Sequence, residues 1–293
     1  MKHRIQITAA TFAFVALPAM AGDFQPLVAA DPPFSHIAQN VVGVNDVFFD
    51  PLFLRATPTA ITRMSTDVNS PDYHVYEQIN YLAVSTDGNF TTTGSGTLTL
   101  LDYRYTPNVV FENATQPIGD MYDFVFRDSR DDTLVFGSRF RMGLAGQQPN
   151  AELNFIYRYG LEENGTAFDV SAAWLSTTTR DLRMYIAGRT ASTSLTGAAL
   201  YDADTVRFQS DLNLAEANPF SGLFLLKTDA EYYTLGSAGI GFYQAGEEGQ
   251  PRVGNVYAGF IPTAVPEPST YAMLAAGLGL LGAVAVRRRN RKA

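Results

Sequence analysis

Residues 122 to 142 read YDFVFRDSRDDTLVFGSRFRM, two apolar runs separated by a short acidic stretch. Large apolar side chains stand at alternate positions in both runs: Tyr122, Phe124 and Phe126 in the first, and Leu134, Phe136, Phe140 and Met142 in the second. A period of two is typical of β-strands with one buried face, and the polar residues 128 to 132 favour a turn. The stretch therefore predicts an antiparallel hairpin.

A second pair of alternating runs follows a few residues later. One face of each run is apolar: Leu153, Phe155, Tyr157 and Tyr159 in the first, and Phe168, Val170, Ala172 and Trp174 in the second. Between the runs, Glu162-Glu163-Asn164-Gly165 ends on an Asn-Gly pair. This pair favours a tight turn, because both residues tolerate positive φ. We expect a second hairpin here, and a meander that includes both.

Strand patterns recur along the rest of the chain with turn residues between them. They cover residues 79–86, 96–105, 182–187, 205–210, 222–227, 232–244 and 255–261. This spacing predicts an all-β fold, an antiparallel β-sandwich or jelly-roll-like domain over residues 22–265. Residues 22–60 lack clean periodicity, so we expect that segment to be irregular apart from a strand near residues 41–49.

The composition limits the chemistry that is open to this chain. It has no cysteine, which excludes disulfides, thiol nucleophiles and thiolate zinc sites. Residues 22–265 hold 14 basic and 28 acidic residues, so the formal charge of this body is −14. Such a charge repels phosphate backbones, and nucleic acid is therefore not expected as a partner.

Residues 1–21 have the composition of a signal peptide. A basic start precedes an apolar stretch, and the small residues Ala19 and Ala21 suit the pocket of signal peptidase. We expect cleavage between Ala21 and Gly22, which exports the body. The alternative is a buried first strand.

Residues 266–293 form three consecutive parts. Pro266-Glu267-Pro268 comes first, the uncharged span 269–286 follows, and the segment 287–292 closes the pattern with Arg287, Arg288, Arg289, Arg291 and Lys292. As an α-helix the span reaches roughly 27 Å, enough for a single C-terminal transmembrane helix. The basic segment stops transfer and stays cytoplasmic, which leaves the body outside.

This C-terminal arrangement resembles the PEP-CTERM sorting signal of bacterial proteins, which exosortase-type membrane proteases recognise. The resemblance implies a precursor anchored in the inner membrane, processed at Pro266, Glu267 and Pro268, and delivered to the cell surface or extracellular matrix. It further implies a species that makes extracellular polysaccharide, a candidate partner. Only the last 28 residues carry the resemblance, which implies no activity for the body. A permanent tail anchor is the alternative.

The strand faces opposite the apolar ones are rich in arginine: Arg127, Arg139, Arg141, Arg158, Arg183 and Arg207. One interpretation is a solvated sheet face balanced by acidic neighbours. The other is a ligand site in which Arg139, Arg141 and Arg158, with neighbouring Tyr rings, bind uronates or other acidic glycans through planar guanidinium groups.

Calcium is the one metal that the acidic loops favour, because carboxylate oxygens are its preferred ligands. Asp128, Asp131 and Asp132 form the best cluster, ahead of Asp202 and Asp204. Their spacing departs from the known calcium-loop pattern, so a solvated hairpin turn is the alternative. No other cofactor is expected.

Catalytic motifs are absent from the body. After signal removal only His36 and His74 remain, and His74 lies in a turn-like segment typical of a polar loop histidine. The carboxylate pairs Glu162-Glu163 and Glu247-Glu248 are neighbours in sequence, which is poor geometry for glycoside hydrolysis. We expect no enzyme, but an exported protein with a structural or adhesive role. A carbohydrate-binding module and a secreted glycan hydrolase are the alternatives.

Overall fold

The computed structural model describes residues 24–27, 55–84, 92–195, 201–246 and 249–264. Within these ranges the chain is all-β and contains no α-helix. The elements in chain order are β1 (Gln25–Pro26), β2 (Arg55–Arg63), a 3₁₀ turn (Pro71–His74), β3 (Tyr76–Val84), β4 (Thr92–Val109), β5 (Gly119–Asp128), β6 (Leu134–Arg141), β7 (Glu152–Arg158), β8 (Glu162–Glu163), β9 (Thr166–Ala167), β10 (Val170–Leu175), β11 (Asp181–Leu182), β12 (Ile186–Gly188), β13 (Val206–Asn213), β14 (Phe220–Ser221), β15 (Leu223–Thr228), β16 (Tyr232–Gln244) and β17 (Val253–Thr263).

The larger sheet curls until it closes on itself. Strands β2 to β6 pair as an antiparallel meander, and β15 pairs with both β6 and β10. A short parallel contact between β10 and β2 completes the ring, where Trp174 and Leu175 lie opposite Arg55 and Ala56. The predicted antiparallel sandwich is thus replaced, on this side, by a strongly curved sheet.

The interior of the ring is filled by aromatic and aliphatic side chains. Tyr122, Phe124 and Phe126 of β5 all point into it and stack on one another, as their alternation predicted. Tyr81 of β3 lies in the same interior, and Gly96 of β4 leaves space for its ring, because a Cβ atom there would lie 2.6 Å from it. Close packing of this kind excludes water from the ring interior.

The smaller sheet has the order β12-β13-β7-β16-β17 and packs against the outside of the ring. A second core fills the space between the two sheets. From the ring come Leu134, Phe136, Phe140, Ala172 and Trp174, and from the smaller sheet come Leu153, Ile156, Phe208, Ile240 and Phe242. Strands β5, β6, β10 and β15 are therefore buried on both faces.

A buried ion pair connects the two sheets through this core. Arg158 of β7 donates to the carboxylate of Asp123 on β5, and both side chains are almost fully buried. Asp123 also accepts from the Phe260 backbone N–H at 2.6 Å, and Arg158 donates to the Phe260 carbonyl at 3.1 Å. Burial raises the pKa of Asp123, and the neighbouring Arg158 opposes that rise. One pair thus joins β5, β7 and β17.

The hairpin predicted from residues 122–142 is confirmed. Strands β5 and β6 pair antiparallel from Asp120 with Arg141 to Arg127 with Leu134. The polar residues between them form the turn, in which Asp132 adopts a positive φ of 60°. The apolar side chains that defined the pattern lie on opposite sides of the ring. Those of β6 (Leu134, Phe136 and Phe140) face the core between the sheets, and those of β5 (Tyr122, Phe124 and Phe126) face the ring interior.

The second predicted hairpin is right at its tip and wrong along its length. Asn164 and Gly165 have φ values of 53° and 77°, and β8 and β9 pair across them. However, β7 belongs to the smaller sheet and β10 to the ring. Both strands are buried on each face, so each occupies an interior position in a different sheet. Alternation identified shared faces but did not identify the partner strands.

The segment expected to be irregular contains a strand that the sequence analysis missed. β2 begins at Arg55, inside residues 22–60, and Pro58 obscured its pattern. Pro58 lies where the β2–β3 register shifts, and such bulges accommodate proline in a sheet. The strand predicted near residues 41–49 lies outside the described residues, as do the signal peptide (1–21), the Glu247-Glu248 pair and the C-terminal segment from residue 265. No described helix is long and apolar enough to cross a membrane.

Candidate functional site

The outer face of the smaller sheet carries a cleft of about 390 Å³. It lies between the surface of β7, β16 and β17 and a segment of chain, residues 189–195, which we call the strap. The lining residues are Glu112, Tyr157, Tyr159, Ala191, Thr193, Phe242, Tyr243, Gly254, Asn255 and Val256. Its volume is within the range of small-ligand sites.

Aromatic rings form the floor of this cleft. Tyr157 comes from β7, Tyr159 follows the last residue of that strand, and Tyr243 comes from the neighbouring β16; Phe155 of β7 packs beneath them. The rings of Tyr157 and Tyr159 lie 5.9 Å apart at 15°, and those of Phe155 and Tyr243 lie 6.4 Å apart at 19°. Both pairs are close to parallel, so the floor presents flat ring faces.

Two glycines allow the tyrosine rings to lie against the sheet. Gly241 is opposite Tyr157 in the β7–β16 ladder, and a Cβ atom there would lie 2.9 Å from the Tyr159 ring. Gly254 is opposite Tyr243 in the β16–β17 ladder, where a Cβ atom would lie 2.8 Å from the Tyr243 ring. A side chain at either position would displace a ring that forms the floor.

The strap is held by hydrogen bonds from two buried side chains. Tyr157 donates its hydroxyl to the Ser192 carbonyl at 3.0 Å. Arg207 donates to the carbonyls of Ser192 and Ser194 at 2.8 and 2.7 Å, with its guanidinium 4.5 Å from the centre of the Phe155 ring. Because charged donors make the stronger hydrogen bonds, Arg207 fixes the wall of the cleft that carries Ala191 and Thr193.

The one charged side chain among the residues that line the cleft is acidic. Glu112 is exposed and lines it. Burial, together with the charge of Asp202, raises the pKa of Tyr159 to about 12. The Tyr159 hydroxyl is therefore neutral at physiological pH and able to donate. Within the described ranges no hydrogen bond occupies the hydroxyl of Tyr159 or of Tyr243.

The arginines expected on an exposed face are largely buried, which corrects the premise of the acidic-glycan hypothesis. Arg139 makes a bidentate ion pair with Asp181 at 2.8 and 3.0 Å, and both side chains are fully buried. Arg158 is enclosed with Asp123, and Arg207 lies beneath the strap. Arg141 is half-buried. The strand faces that carry Arg139, Arg158 and Arg207 are covered by other parts of the fold, although the alternating pattern suggested that they were solvated.

The acidic turn predicted as a calcium site uses its carboxylates internally. Asp128 is buried, accepts from the Tyr81 hydroxyl at 2.8 Å and lies 2.8 Å from the Lys227 ammonium. Asp131 lies 2.7 Å from the same ammonium. Burial alone would raise the pKa of Asp131, but Lys227 and Thr133 hold it below its usual value. Asp132 is exposed beside Arg127. Within the described chain no three acidic or histidine side chains converge on a metal-sized site.

A larger cleft of about 730 Å³ lies next to the Arg139–Asp181 pair. Its most polar wall is the loop 176–179, whose Thr177 and Thr178 hydroxyls donate to Asp181 at 2.7 and 2.6 Å. These hydroxyls are thus committed to holding the loop. Among the described residues the cleft of about 390 Å³, which we call the tyrosine cleft, is the better candidate, because the hydroxyls of Tyr159 and Tyr243 remain available.

The adjacent carboxylates at residues 162–163 are separated by the turn they occupy. Glu163 accepts from the Ala264 backbone N–H at 2.6 Å and from the Thr263 hydroxyl at 3.2 Å, whereas Glu162 is exposed. Glu163 therefore fixes the point at which the chain leaves β17. That point lies one residue before Val265, where the C-terminal segment begins.

His74 is buried, not an exposed loop residue as the sequence suggested. It ends the 3₁₀ turn and packs among the rings of Tyr73, Tyr122 and Phe220. Burial, and then the charges of Arg139, Arg141 and Arg63, lower the pKa of His74 to about 3. Within the described residues its Nδ1 atom has no hydrogen-bond partner. His74 is therefore a neutral core residue.

This burial predicts that acid destabilises the fold through His74. The unfolded chain binds a proton at this side chain below about pH 6.5, while the folded chain resists it down to about pH 3. The stability that the neutral His74 contributes to the fold is therefore complete above pH 6.5. It is lost progressively as the pH falls from about 6.5 to about 3. Between pH 7 and 4.5 the free energy of unfolding should fall in both proteins. We expect the fall to be about 2 kcal/mol smaller in His74→Gln than in the wild type. Urea unfolding at both pH values measures this; identical losses would contradict it.

Comparison with known proteins identifies the C-terminal segment but not the body. Residues 264–289 match the family model of the PEP-CTERM protein-sorting motif. No curated protein and no solved structure matches the chain. The motif indicates an exported protein, made as a membrane-anchored precursor, that an exosortase membrane protease processes for the cell surface. The resemblance read from Pro266-Glu267-Pro268 is confirmed, and the match starts at the residue that Glu163 holds.

Two of the cleft's tyrosines were predicted to share a face, but the sequence predicted no cleft. Tyr157 and Tyr159 were placed on one face of a strand, and the structure confirms that they share it. Leu153, predicted on the same face, instead joins the core between the sheets. Tyr243, Gly241 and Gly254 were missed, because only the pairing of β7, β16 and β17 brings them together.

Proposed function

We propose that this is a non-catalytic surface or matrix protein with a structural or adhesive role, which holds extracellular polysaccharide after sorting. The observation that supports it is the combination of a sorting motif directly after the last strand and an aromatic cleft on the outer face of the body. The motif accounts for location, and the cleft offers a surface for a ligand present there. Polysaccharide fits, because aromatic rings and neutral hydroxyls contact sugars through both their apolar and polar groups.

The geometry of the carboxylates favours binding over hydrolysis. A glycosidase needs two carboxyl groups about 5 to 9.5 Å apart across the scissile bond. Among the residues that line the tyrosine cleft, only Glu112 carries a carboxylate. Asp123, Asp128 and Asp181 are buried and paired with Arg158, Lys227 and Arg139. These groups serve the fold, which supports a non-catalytic role.

The proposed function predicts retention of polysaccharide without turnover. The full-length chain in detergent micelles should sediment with insoluble polysaccharides of the neutral or acidic class and release no new reducing ends from them. Co-sedimentation and a reducing-end assay on the same samples test both parts. Sustained release of reducing ends would replace the proposal with a secreted hydrolase. Failure to sediment with any polysaccharide would remove the adhesive role.

A further inference from the structure

We infer that the tyrosine cleft is the polysaccharide site and that it selects a neutral pyranose chain over an acidic one. This inference rests on the proposed function and narrows it to one site and one ligand class. It departs from the arginine-based hypothesis that the sequence suggested, since Arg139 and Arg158 are buried and paired with Asp181 and Asp123.

Shape supports the assignment. The axial C–H groups of a pyranose ring carry a slight positive charge and pack on the negative face of an aromatic ring. Tyr159 and Tyr243 are half-buried, so each keeps part of its surface open to the cleft. Gly241 and Gly254 hold both rings flat against the sheet. The register places Tyr243 opposite Phe155, four residues from Tyr159, so the two ring surfaces lie well apart and suit separate sugars of an extended chain better than a compact ligand.

The polar groups of the cleft suit hydroxyls. The Tyr159 and Tyr243 hydroxyls are free of hydrogen bonds within the described ranges, and each can donate and accept. A sugar hydroxyl, also a donor and an acceptor, pairs with such groups without a change of charge.

Charge excludes the acidic class. Glu112 lines the cleft, and Asp202 is close enough to act on the Tyr159 hydroxyl. Arg207, beneath the strap, is buried and donates to the strap carbonyls. A uronate would therefore bring a carboxylate towards the acidic side chains of Glu112 and Asp202, with no arginine or lysine among the lining residues to offset the repulsion between like charges.

Ring substitutions test this site directly. The full-length chain in detergent micelles is titrated with a neutral hexamer of β-1,4-linked glucose and with a hexamer of galacturonate. We expect the neutral probe to bind the wild type. Tyr159→Phe keeps the ring but loses the hydroxyl and should weaken binding about threefold, whereas Tyr159→Ala loses both and should weaken it about tenfold. Tyr232→Ala is the matched control, because Tyr232 is an exposed tyrosine at the other end of β16. It should bind like the wild type.

A blocking experiment avoids any loss of folding in Tyr159→Ala. The chain has no cysteine, so Thr193→Cys on the exposed rim creates a single labelling site. Attachment of a maleimide that carries a polyethylene glycol chain should abolish binding of the neutral probe, while the unlabelled variant should bind normally. The same label on Tyr232→Cys is the control and should leave binding unchanged.

The outcomes separate this inference from the proposed function. Preference for galacturonate would overturn the neutral class, and neutral binding that survives both Tyr159→Ala and the Thr193 label would overturn the site. Either result leaves the adhesive role standing if the chain still sediments with polysaccharide. Sedimentation without binding of either hexamer would overturn the inference as well, since the ligand would then lie outside both classes.

Discussion

Arg158→Met is expected to lower the free energy of unfolding by about 3 to 5 kcal/mol. The substitution leaves the Asp123 carboxylate fully buried in the core between the sheets without its cation. It also removes the hydrogen bond to the Phe260 carbonyl, which ties β17 to β7. Because burial already raises the pKa of Asp123, the unpaired carboxyl should become protonated rather than remain charged. Urea unfolding at neutral pH measures the loss.

Two further variants give this prediction its controls. Arg127→Met removes a surface partner 3.7 Å from the exposed Asp132 and should cost under about 1 kcal/mol. The double variant Asp123→Leu with Arg158→Met removes both charges and should be more stable than Arg158→Met alone, because no unpaired ion remains in the core. An Arg158→Met variant as stable as Arg127→Met would show that the pair does not connect the sheets energetically.

Arg158 also shows what alternation can and cannot predict. The pattern of residues 153–159 correctly separated the positions of Tyr157 and Tyr159 from that of Arg158. It then suggested that the arginine face was solvated, since one polar face is usual in an antiparallel sheet. In this fold both faces of β7 are covered, one by the ring and the other by the strap. Burial of the second face depends on residues far away in sequence.

The same limit explains the cleft. Local signals located β5, β6 and the Asn164-Gly165 turn. Pairing across a short turn can be predicted because the turn residues and both strands are neighbours in the sequence. The pairing of β7 with β13 and β16 joins segments separated by long stretches of chain, and it has no local signature. The floor of the cleft depends on that pairing. Its members could be recognised only once the register placed Gly241 opposite Tyr157.

Truncation after Val265 is expected to abolish retention of the protein at the membrane and cell surface. It removes the segment that matches the sorting motif, apart from its first two residues, and with it the predicted span 269–286 and basic segment 287–292. The truncated chain should accumulate in a soluble exported fraction. Immunoblots of membrane, surface and soluble fractions from cells that produce each form measure the shift.

Glu267→Ala separates processing from anchoring. Prolines on both sides of Glu267 disfavour a helical backbone at this position, which should leave the residue open to a membrane protease. The variant should therefore stay in the membrane with residues 287–293 still attached, whereas the wild-type surface form should lack them by intact mass. Glu77→Ala, an exposed acidic residue of β3, is the matched control and should be processed normally. A wild-type surface form that retained residues 287–293 would establish a permanent anchor instead.

The described residues predict that truncation after Val265 leaves the fold of the body intact. β17 ends at Thr263, and Glu163 holds Thr263 and Ala264 before the removed segment begins. Truncation after Val265 therefore deletes none of the described strands and neither of the two cores. The truncated body should keep the thermal midpoint of the full-length chain within about 2 °C, since removal of a segment outside the cores changes stability little. A large fall in the midpoint would mean that the segment contributes to the fold, and loss of surface retention would then need a folding explanation.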